Sequence, residues 1–413
     1  MRSARAATLS IPRKSAFACR RWHHSKSVSV LDVVRRYDID GVHIDDYFYP
    51  YKEKDSRGRV MDFPDAASWR KYLRSGGTLS RDDWRRANVD SLIHSVYVGI
   101  KAAKPWVKFG ISPFGVWRPG YPPITEGKFD SYAELYGDSR KWVLNGWGDY
   151  FTPQLYWPIT RPDLSYPVLL QWWVEQNAKG RHIWAGNYLD KVNNSPSGWP
   201  AQELLDQIAA TRAQRGATGN VFFSMRSFMF GQDNLPEKLV AGPYASKALV
   251  PASPWLDSIP PASPLVRIGR DGAGNVTVSL QPQGTEATWL WSIRMRNGSE
   301  WSNDVVPGLQ RFYTIPRAAS ASADELAVSA VDRTGNESVP VLLSISATVQ
   351  RSAEPCRARS AAFHPLRRAG NRSKRSCREQ SWRRSTASSR SPYRRRRPAP
   401  CPAADHPSSA SSS

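Results

Sequence analysis

Between residues 40 and 225 the chain alternates short apolar runs with longer segments in which apolar positions recur every three or four residues. The short runs predict buried strands, and the longer segments predict amphipathic helices. Five strands are expected, near residues 42, 109, 152, 184 and 222, with four helices between them. Strands and helices that alternate at this spacing indicate βα units and a parallel sheet.

The ends of the predicted helices carry recognisable capping residues. Ser80 is a suitable N-cap for the longest helix, with Asp83 three residues later, and Pro105 ends it. A second helix is expected from about Ser131 to Leu144, with Gly146 at the position of a C-terminal glycine cap. The other two are expected over Tyr166–Asn177 and Ala201–Arg215.

Beyond residue 260 the pattern changes to short runs with alternating apolar positions, separated by turn signals such as Asp271-Gly272 and Asn297-Gly298. This pattern predicts a β-sandwich of fibronectin type III-like or immunoglobulin-like kind over 261–349, after a Pro/Ala/Ser-rich linker over 241–260. Six strands are expected, over Leu265–Ile268, Asn275–Leu280, Ala287–Arg296, Gln310–Ile315, Glu325–Val331 and Val339–Ser346.

The positive charge of the chain is concentrated in its two ends. Of the formal net charge of +22, residues 1–30 carry +7 and residues 350–413 carry +13, which leaves the body at +2. Strongly basic chains often bind nucleic acid, but a nearly neutral body argues against that function and confines any such binding to the ends. Both ends lack hydrophobic periodicity and are rich in Arg and Ser, so we expect them to be disordered.

Several classes of protein are excluded by what the sequence lacks. No run of about 18 apolar residues is present, so no transmembrane segment is expected, and the N-terminus as given has no apolar core of a signal peptide. The number of strands alone would also allow a doubly wound open sheet, but the sequence contains neither of the glycine-rich phosphate-binding motifs, GxGxxG and GxxxxGK[ST]. The four cysteines match no zinc pattern, and therefore we predict no metal and no cofactor. They are Cys19, Cys356, Cys377 and Cys401.

The first predicted strand, Gly41–Ile44, leads directly into two carboxylates, Asp45 and Asp46, and then into a run of aromatic residues. Carboxyl groups can protonate a leaving oxygen, stabilise a cation or attack it, while flat rings stack on sugar faces. At the carboxyl end of a barrel strand such residues are typically catalytic. Because side chains alternate along a strand, only one of the two aspartates is expected to point into the site, and the sequence leaves open which.

Polar and aromatic residues also lie around the ends of the later strands. His43 shares a strand face with Asp45 and suits either a hydrogen bond in the site or a core position. Gln154 and Asn187 suit recognition of sugar hydroxyl groups, or the satisfaction of loop backbone. The residues predicted to bind substrate are His43, Tyr47, Trp117, Arg118, Gln154, Tyr156, Trp157, Asn187 and Tyr188.

Carboxylates followed by aromatic rings favour a carbohydrate-cleaving site. An enzyme of this kind, a glycosidase, usually needs a second carboxylate about 5–10 Å from the first. None of the later predicted strands ends in an acid. Acidic residues occur in the adjoining loops, at Glu53, Asp55, Asp62, Glu126 and Asp190.

Five segments of the body resemble the glycosyl hydrolase-like 10 family, a group of TIM-barrel proteins, and the resemblance covers about residues 32–240. The segments are DVVRRYDIDGVHIDDYFYPY (32–51), LSRDDWRRANVD (79–90), IKAAKPWVKFGISPFGVWRPG (100–120), DSYAELYGDSRKWVLNGWGDYFTPQLYWPI (130–159) and YPVLLQWW (166–173).

This resemblance implies a (β/α)₈ barrel followed by a fibronectin type III-like domain. Residues 31–240 would supply barrel strands four to eight, and the family carries three β/α units before the segment at 32–51. We therefore expect an N-terminally truncated barrel, with both basic ends being products of the gene model. An open half-barrel exposes the edge of its first strand, so self-association is expected.

The resemblance also implies an exported or cell-envelope enzyme that hydrolyses glycosidic bonds in polysaccharide, with peptide-free peptidoglycan strands as one expected substrate. Asp45 or Asp46 would act as one carboxylate in acid/base hydrolysis. The alternative is an inactive carbohydrate-binding protein, which keeps the aromatic cleft but lacks a complete catalytic pair because the first barrel units are missing.

Overall fold

The structure, a computed structural model, describes residues 29–345 except 194, 195 and 197, together with the backbone of residues 6–9. The tail predicted as disordered over 350–413 lies outside the described residues, as do most of residues 1–30. Within the described range the chain forms a mixed α/β region followed by two antiparallel sheets. No helix in this range is long and apolar enough to cross a membrane.

Six strands form a parallel sheet in the order in which they occur along the chain. They are β1 (Ala6–Leu9), β2 (Gly41–Ile44), β3 (Lys108–Ile111), β4 (Tyr150–Phe151), β5 (His182–Tyr188) and β6 (Ala217–Phe223). The five predicted strands correspond to β2–β6, so the prediction of βα units around a parallel sheet is confirmed.

Strand β1 falls inside the segment predicted as disordered, and the prediction is corrected for these four residues. They pair in parallel with β2, from Ala6 beside Gly41 to Leu9 beside Ile44. The backbone groups along the edge of β2 need hydrogen-bond partners, which a short strand supplies. A run of four residues is too short to show a period in a basic, aperiodic sequence.

The described strands form an open sheet rather than the closed barrel that the resemblance implies. Strand β1 pairs with β2 and β6 pairs with β5, and within the described residues no pairing joins β1 to β6. Closure of a barrel requires strand number, tilt and stagger to match around the whole circle, which for a TIM barrel takes eight strands.

Helices connect the strands. They are α1 (29–36), α2 (Ala66–Arg74), α3 (Arg81–Ala103), α4 (Ser131–Glu134), α5 (Ser139–Asn145), α6 (Tyr166–Glu175), α7 (Ala201–Ala213), α8 (Met225–Met229), α9 (Leu235–Ala241) and, within the sandwich, α10 (Arg317–Ser320). Ser80 caps α3 as predicted, because its hydroxyl accepts the Asp83 N–H at 3.1 Å. Gly146 ends α5 in the left-handed conformation, also as predicted.

The single helix expected over 131–144 is two short helices, α4 and α5. Between them Tyr136 takes a positive φ of 55°, and Asp138 accepts the Lys141 N–H at 3.2 Å to start α5. A side chain at Gly137 would lie 2.6 Å from the Phe48 ring, so the chain turns here against the aromatic segment that follows β2. This tertiary contact overrides the helical periodicity of the sequence.

One face of the sheet packs on helices to form the main core. Phe109 and Phe151 from the sheet meet Ile93 of α3, Trp142 of α5 and Trp173 of α6, all of them fully buried. Because side chains alternate along a strand, the neighbours of these strand residues point to the opposite face of the sheet. The site described below occupies the carboxyl end and this opposite face.

Two antiparallel sheets form the second region and share one core. Their orders are β11-β8-β7 and β10-β9-β12-β13. The strands are β7 (Leu265–Arg270), β8 (Val276–Gln281), β9 (Leu290–Asn297), β10 (Glu300–Pro307), β11 (Phe312–Ile315), β12 (Glu325–Val331) and β13 (Val341–Ser344). Strand β10 was not predicted, because the polar residues at 300 and 302–304 hide its alternation, although Asn297-Gly298 is a hairpin turn signal.

The linker and the sandwich contact the amino end of the parallel sheet. The Trp255 indole donates to Asp149, just before β4, at 2.9 Å and its ring lies 4.8 Å from that of His182 at the start of β5. Arg333 of the sandwich donates to Asp38, shortly before β2, at 2.7 Å. The site residues were predicted at the carboxyl ends of the strands. These ends lie at the opposite end of the sheet from the contacts with the linker and the sandwich.

We expect self-association of this chain through β6 rather than through the first predicted strand, whose edge β1 covers. In the described region β6 has a neighbour on one side only, and Phe223 and Met225 at its end are 49% and 68% exposed. Unpaired strand edges beside apolar surface favour edge-to-edge pairing. Light scattering should show oligomers that Met225→Lys reduces. A monomer with a cooperative thermal transition at the same concentration would contradict this expectation.

Candidate functional site

The predicted carboxylates lie at the carboxyl end of β2, where the sheet continues through isolated bridges. Gln154, after β4, bridges both Phe114 and Gly186. Its side-chain amide donates to Asp45 Oδ1 at 2.9 Å. The structure therefore brings together two of the predicted site residues that are 109 positions apart in the chain.

Asp45 and Asp46 form a closely coupled pair. Asp45 Oδ1 accepts the backbone N–H of Asp46 at 2.9 Å, and Asp46 Oδ2 accepts the Tyr51 hydroxyl at 2.7 Å. Asp46 is only 4% exposed, whereas Asp45 is half-buried. Burial raises the pKa of Asp46 to about 6; the Tyr51 hydrogen bond opposes this rise and the charge of Asp45 adds to it. Asp46 can thus carry a proton at mildly acidic pH. Next to it lies the Asp45 carboxyl group, which Gln154 orients.

His43 belongs to a stack of rings on the face of the sheet opposite the helices. Its Nδ1 lies 3.2 Å from the Tyr150 hydroxyl, and the two rings stack at 5.7 Å. Tyr150 reaches across β3 because Gly110 has no side chain: a Cβ there would lie 1.9 Å from the Tyr150 ring. Tyr150 stacks in turn on Trp184 at 4.3 Å. Burial lowers the pKa of His43, with Asp45 acting in the opposite direction, which favours a neutral imidazole.

Three rings form an aromatic wall beside the carboxylates: Tyr156, Tyr188 and Phe223. The Tyr156 ring lies 4.9 Å from Tyr188 and 6.2 Å from Phe223. Burial raises the pKa of Tyr156, and the charges of Asp45 and Asp46 raise it further, which places its hydroxyl within electrostatic reach of both. The prediction from the sequence missed Phe223, although it is the last residue of β6 and lies next to the centre of the strand predicted near residue 222.

A second row of aromatic rings extends from Trp157 to Tyr51, which contacts Asp46. Trp157 meets Phe114 edge-on at 5.8 Å, Phe114 meets Phe129 at 5.0 Å, and Phe129 stacks on Tyr51 at 5.6 Å. Tyr51 then donates to Asp46. Trp157 is thereby placed near the site, and its contact with substrate stays a prediction. Phe114, Phe129 and the role of Tyr51 emerge from the structure alone.

Tyr47 keeps one side open to solvent at 37% exposure and packs edge-on against Tyr51 at 5.9 Å. Beyond Tyr51 lies a cavity of about 630 Å³, a size typical of small-molecule sites. Its walls combine rings such as Tyr49 and Phe63 with charged groups such as Arg81 and Glu134. Tyr51 lines this cavity and also donates to Asp46.

Three residues predicted to bind substrate are placed elsewhere. Trp117 is in the core at 8% exposure and donates to Asp138 at 3.2 Å. Arg118 lies over the Tyr132 ring at 4.6 Å and pairs with an acid in its own loop. The fully buried Asn187 faces the helices, because side chains alternate along β5, and donates to Tyr166 on α6 and Gln207 on α7. The predictions for Trp117 and Asn187 are corrected, because packing and internal hydrogen bonds occupy these two side chains. The side chain of Arg118 is 41% exposed, and its role in binding stays a prediction.

Among the described residues, one group of acids has the spacing of a metal site, and it is remote from the carboxylate pair. Asp257, Glu286 and Asp332 can bring ligand atoms within 4.8 Å of one another, in the linker and the sandwich. Asp332 Oδ1 already accepts the backbone N–H groups of Thr334 and Asn336. This group therefore stabilises its own turn.

The sequence of this chain matches one family model and several known proteins. The model of the family "Glycosyl hydrolase-like 10" matches residues 25–200. The protein "Glycosyl hydrolase YngK" of Bacillus subtilis is 39% identical over 283 residues, which are 66% of this chain and 54% of that protein. "Glycosyl hydrolase DigH" of Escherichia coli K12 is 44% identical over 150 residues, 35% of this chain and 32% of that protein.

The chain thus spans about half the length of the first of these relatives and a third of the second. A crystal structure of an FN3 domain of human collagen XX also matches, with 21% identity over 24% of this chain and 99% of that one. Its TM-score is 0.18, so the two-sheet description of residues 265–344 rests on the strand order given above.

Proposed function

We propose, from the membership of residues 25–200 in the glycosyl hydrolase-like 10 family, that this chain binds polysaccharide and hydrolyses its glycosidic bonds, with Asp46 as the proton donor. The observation that carries the proposal is the buried carboxyl group of Asp46, whose pKa is raised to about 6 next to Asp45. A carboxylic acid that keeps its proton at mildly acidic pH can protonate a leaving glycosidic oxygen.

The hydrogen bonds around the pair support a different role for each carboxyl group. Because Tyr51 donates to Asp46 Oδ2, the other oxygen, Oδ1, is the one to carry the proton towards substrate. Asp45 is held by Gln154 and by the backbone of Asp46. Its negative charge favours protonation of Asp46 and stabilises the positive charge that develops on the sugar in the transition state.

The aromatic wall of Tyr156, Tyr188 and Phe223, together with Tyr47, supports the carbohydrate-binding part of the proposal. Flat ring faces stack on the apolar faces of sugars, and Phe223 and Tyr47 are exposed enough to do so. As the substrate within this class we propose peptide-free glycan strands of peptidoglycan, and as the location the cell envelope or the exterior. The support for both is the sequence resemblance described above.

A second candidate function is carbohydrate binding without hydrolysis. The open sheet of the described residues favours it, because a closed barrel would bring further strand ends, and further side chains, to the same face. The two candidates share the aromatic wall and differ in whether a bond is broken.

The test measures binding and cleavage on the same glycan. Peptide-free glycan strands are incubated with the full chain, and both the pelleted protein and the released reducing ends are quantified, with Tyr156→Ala as the variant that disrupts the wall. We expect binding and release, both reduced in the variant. Binding without release would favour the second candidate, and the absence of both would contradict the proposal.

The rate of hydrolysis is expected to fall as the pH rises through about 6, because Asp46 then loses the proton it must donate. The Tyr51 hydrogen bond lowers the pKa of Asp46, so Tyr51→Phe should move this midpoint to higher pH. The measurement is kcat/KM from pH 4 to 9 for both proteins, with Tyr47→Phe as the control for loss of a neighbouring hydroxyl. A midpoint that moves to lower pH in Tyr51→Phe would contradict the assignment.

A further inference from the structure

Hydrolysis of a glycosidic bond usually needs carboxyl groups on two sides of the sugar, about 5–5.5 Å or 6.5–9.5 Å apart. Asp45 and Asp46 are neighbours joined by a hydrogen bond of 2.9 Å, so both lie on the same side of a bound sugar. A second carboxylate must therefore come from another strand end.

Four of the acidic residues in the adjoining loops are either paired with arginine or exposed to solvent. Asp55 pairs with Arg59 at 2.8 Å, and Asp62 pairs with Arg85 at 2.8 Å. Glu53 and Glu126 are exposed.

Asp190 differs from these acids in its position. It lies in the single helical turn Leu189–Lys191 that follows β5 directly, so it is at the carboxyl end of the sheet. Tyr188, two residues earlier, packs on Tyr156 at 4.9 Å in the aromatic wall. Asp190 thus follows the same wall that lies beside Asp45 and Asp46.

Two serines from the next strand end orient the Asp190 carboxylate. The Ser227 hydroxyl donates to Oδ1 at 2.5 Å, and the Ser224 hydroxyl lies 3.2 Å from the same oxygen. Ser224 is 3.4 Å from Oδ2, which leaves Oδ2 the less engaged of the two oxygens. The charge of Asp190 also contributes to the raised pKa of Tyr156, as do the charges of Asp45 and Asp46. The charges of all three carboxyl groups therefore act on the Tyr156 hydroxyl.

Strand spacing sets the separation between the two sides. Strands β2 and β5 are three steps apart in the sheet, which at about 4.8 Å per step separates their axes by roughly 14 Å at most. The aspartate side chains at the two strand ends span part of this distance, and the wider of the two ranges leaves room for a water molecule between them.

We propose that Asp190 is the second carboxylate of this site and activates the attacking water; the inference rests on the proposed function. In the reaction the bond between C1 and the leaving oxygen breaks, and the proton of Asp46 passes to that oxygen. Water attacks C1 from the side of Asp190 and gives its proton to Oδ2. The proton balance is restored when Asp190 releases this proton to solvent and Asp46 takes one up.

The test compares Asp190→Asn and Asp190→Ala with Asp206→Asn, which removes an exposed acid of α7. On peptide-free glycan strands we expect both Asp190 variants to lose about 10³-fold in turnover while binding glycan as well as the original chain. Azide needs no deprotonation, so it should restore turnover to Asp190→Ala and yield a glycosyl azide. Asp206→Asn should match the original chain.

Turnover of Asp190→Asn within about threefold of the original chain, or no glycosyl azide from Asp190→Ala, would overturn the inference while leaving the proposed function in place. Ser227→Ala provides an independent check: it should lower kcat by about tenfold with KM unchanged, because it frees the carboxylate that Ser227 orients. An original chain that binds glycan without cleaving it would also overturn the role of Asp190. Loss of binding as well would identify failure of the proposed function itself.

Discussion

Asp46→Asn is expected to reduce the release of reducing ends by about 10³-fold, because asparagine cannot donate the proton that the leaving oxygen requires. Its side-chain oxygen can still accept the Tyr51 hydroxyl, so the local geometry should be retained. The measurement is turnover on the glycan that the original chain cleaves, with Asp82→Asn, an exposed acid of α3, as the control. Turnover within tenfold of the original chain would remove Asp46 from the mechanism.

The same variant is expected to be more stable than the original chain at pH 7. The pKa of Asp46 is about 6 in the folded protein, above its ordinary value of 3.8, so the folded state binds more protons than the unfolded state between these pH values. The free energy of unfolding therefore decreases as the pH rises from about 4 to 6, and this loss persists above pH 6. Asparagine has no charge to bury, so the gain at pH 7 should be on the order of 3 kcal/mol.

Urea denaturation at pH 4 and pH 7 checks the sign of this effect. The difference in free energy of unfolding between Asp46→Asn and the original chain should appear at pH 7 and shrink at pH 4, where both side chains are neutral. A variant that is inactive and also less stable at pH 7 would indicate that Asp46 holds the loop together rather than donating a proton.

Asp149→Ala is expected to cost about 3–5 kcal/mol of unfolding free energy, because it leaves a buried cation without its partner. Asp149 is fully buried and accepts the Phe109 N–H at 2.7 Å and the Trp255 indole N–H at 2.9 Å. It also pairs with Lys101 of α3 at 2.5 Å. One carboxylate thus joins β3, β4, α3 and the linker.

The matched control is Asp163→Ala, which breaks ion pairs with Lys128 and Arg161 at a half-exposed position. Exposed ion pairs contribute little to stability because solvent screens them, so this change should be small. Urea denaturation measures the loss of unfolding free energy in both variants. An equal loss in Asp149→Ala and Asp163→Ala would contradict the role given to Asp149. Where Asp149→Ala remains folded, glycan binding should be unchanged, since Asp149 lies at the amino end of the sheet and the site at the carboxyl end.

Much of the local architecture could be predicted from the sequence because the signals are local. Apolar runs located β2–β6, the Ser80 cap located α3, and Gly146 ended α5 as expected. The adjacency of Asp45 and Asp46 to a buried strand also identified the candidate site. Each of these features depends on residues within a few positions of one another, so the one-dimensional pattern contains them.

The predictions that needed correction concern contacts between distant residues. Trp117 and Phe223 are both aromatic residues in or beside loops, but the rings around Trp117 bury it and Phe223 remains exposed. Gln154 and Asn187 were expected to have similar roles, yet one binds Asp45 and the other fills a network between helices. Residue type alone does not distinguish them.

By itself the sequence determined the order of the elements, their caps and the carboxylate–aromatic stretch after β2. Only the tertiary structure decided that Asp46 is buried under Tyr51, that Gln154 holds Asp45, and that Asp190 follows the same aromatic wall. The physical reason is that a side chain's direction is set by strand alternation and by the neighbours packed against it. Those neighbours are more than a hundred residues away for Gln154 and Asp45, beyond the range of any local pattern.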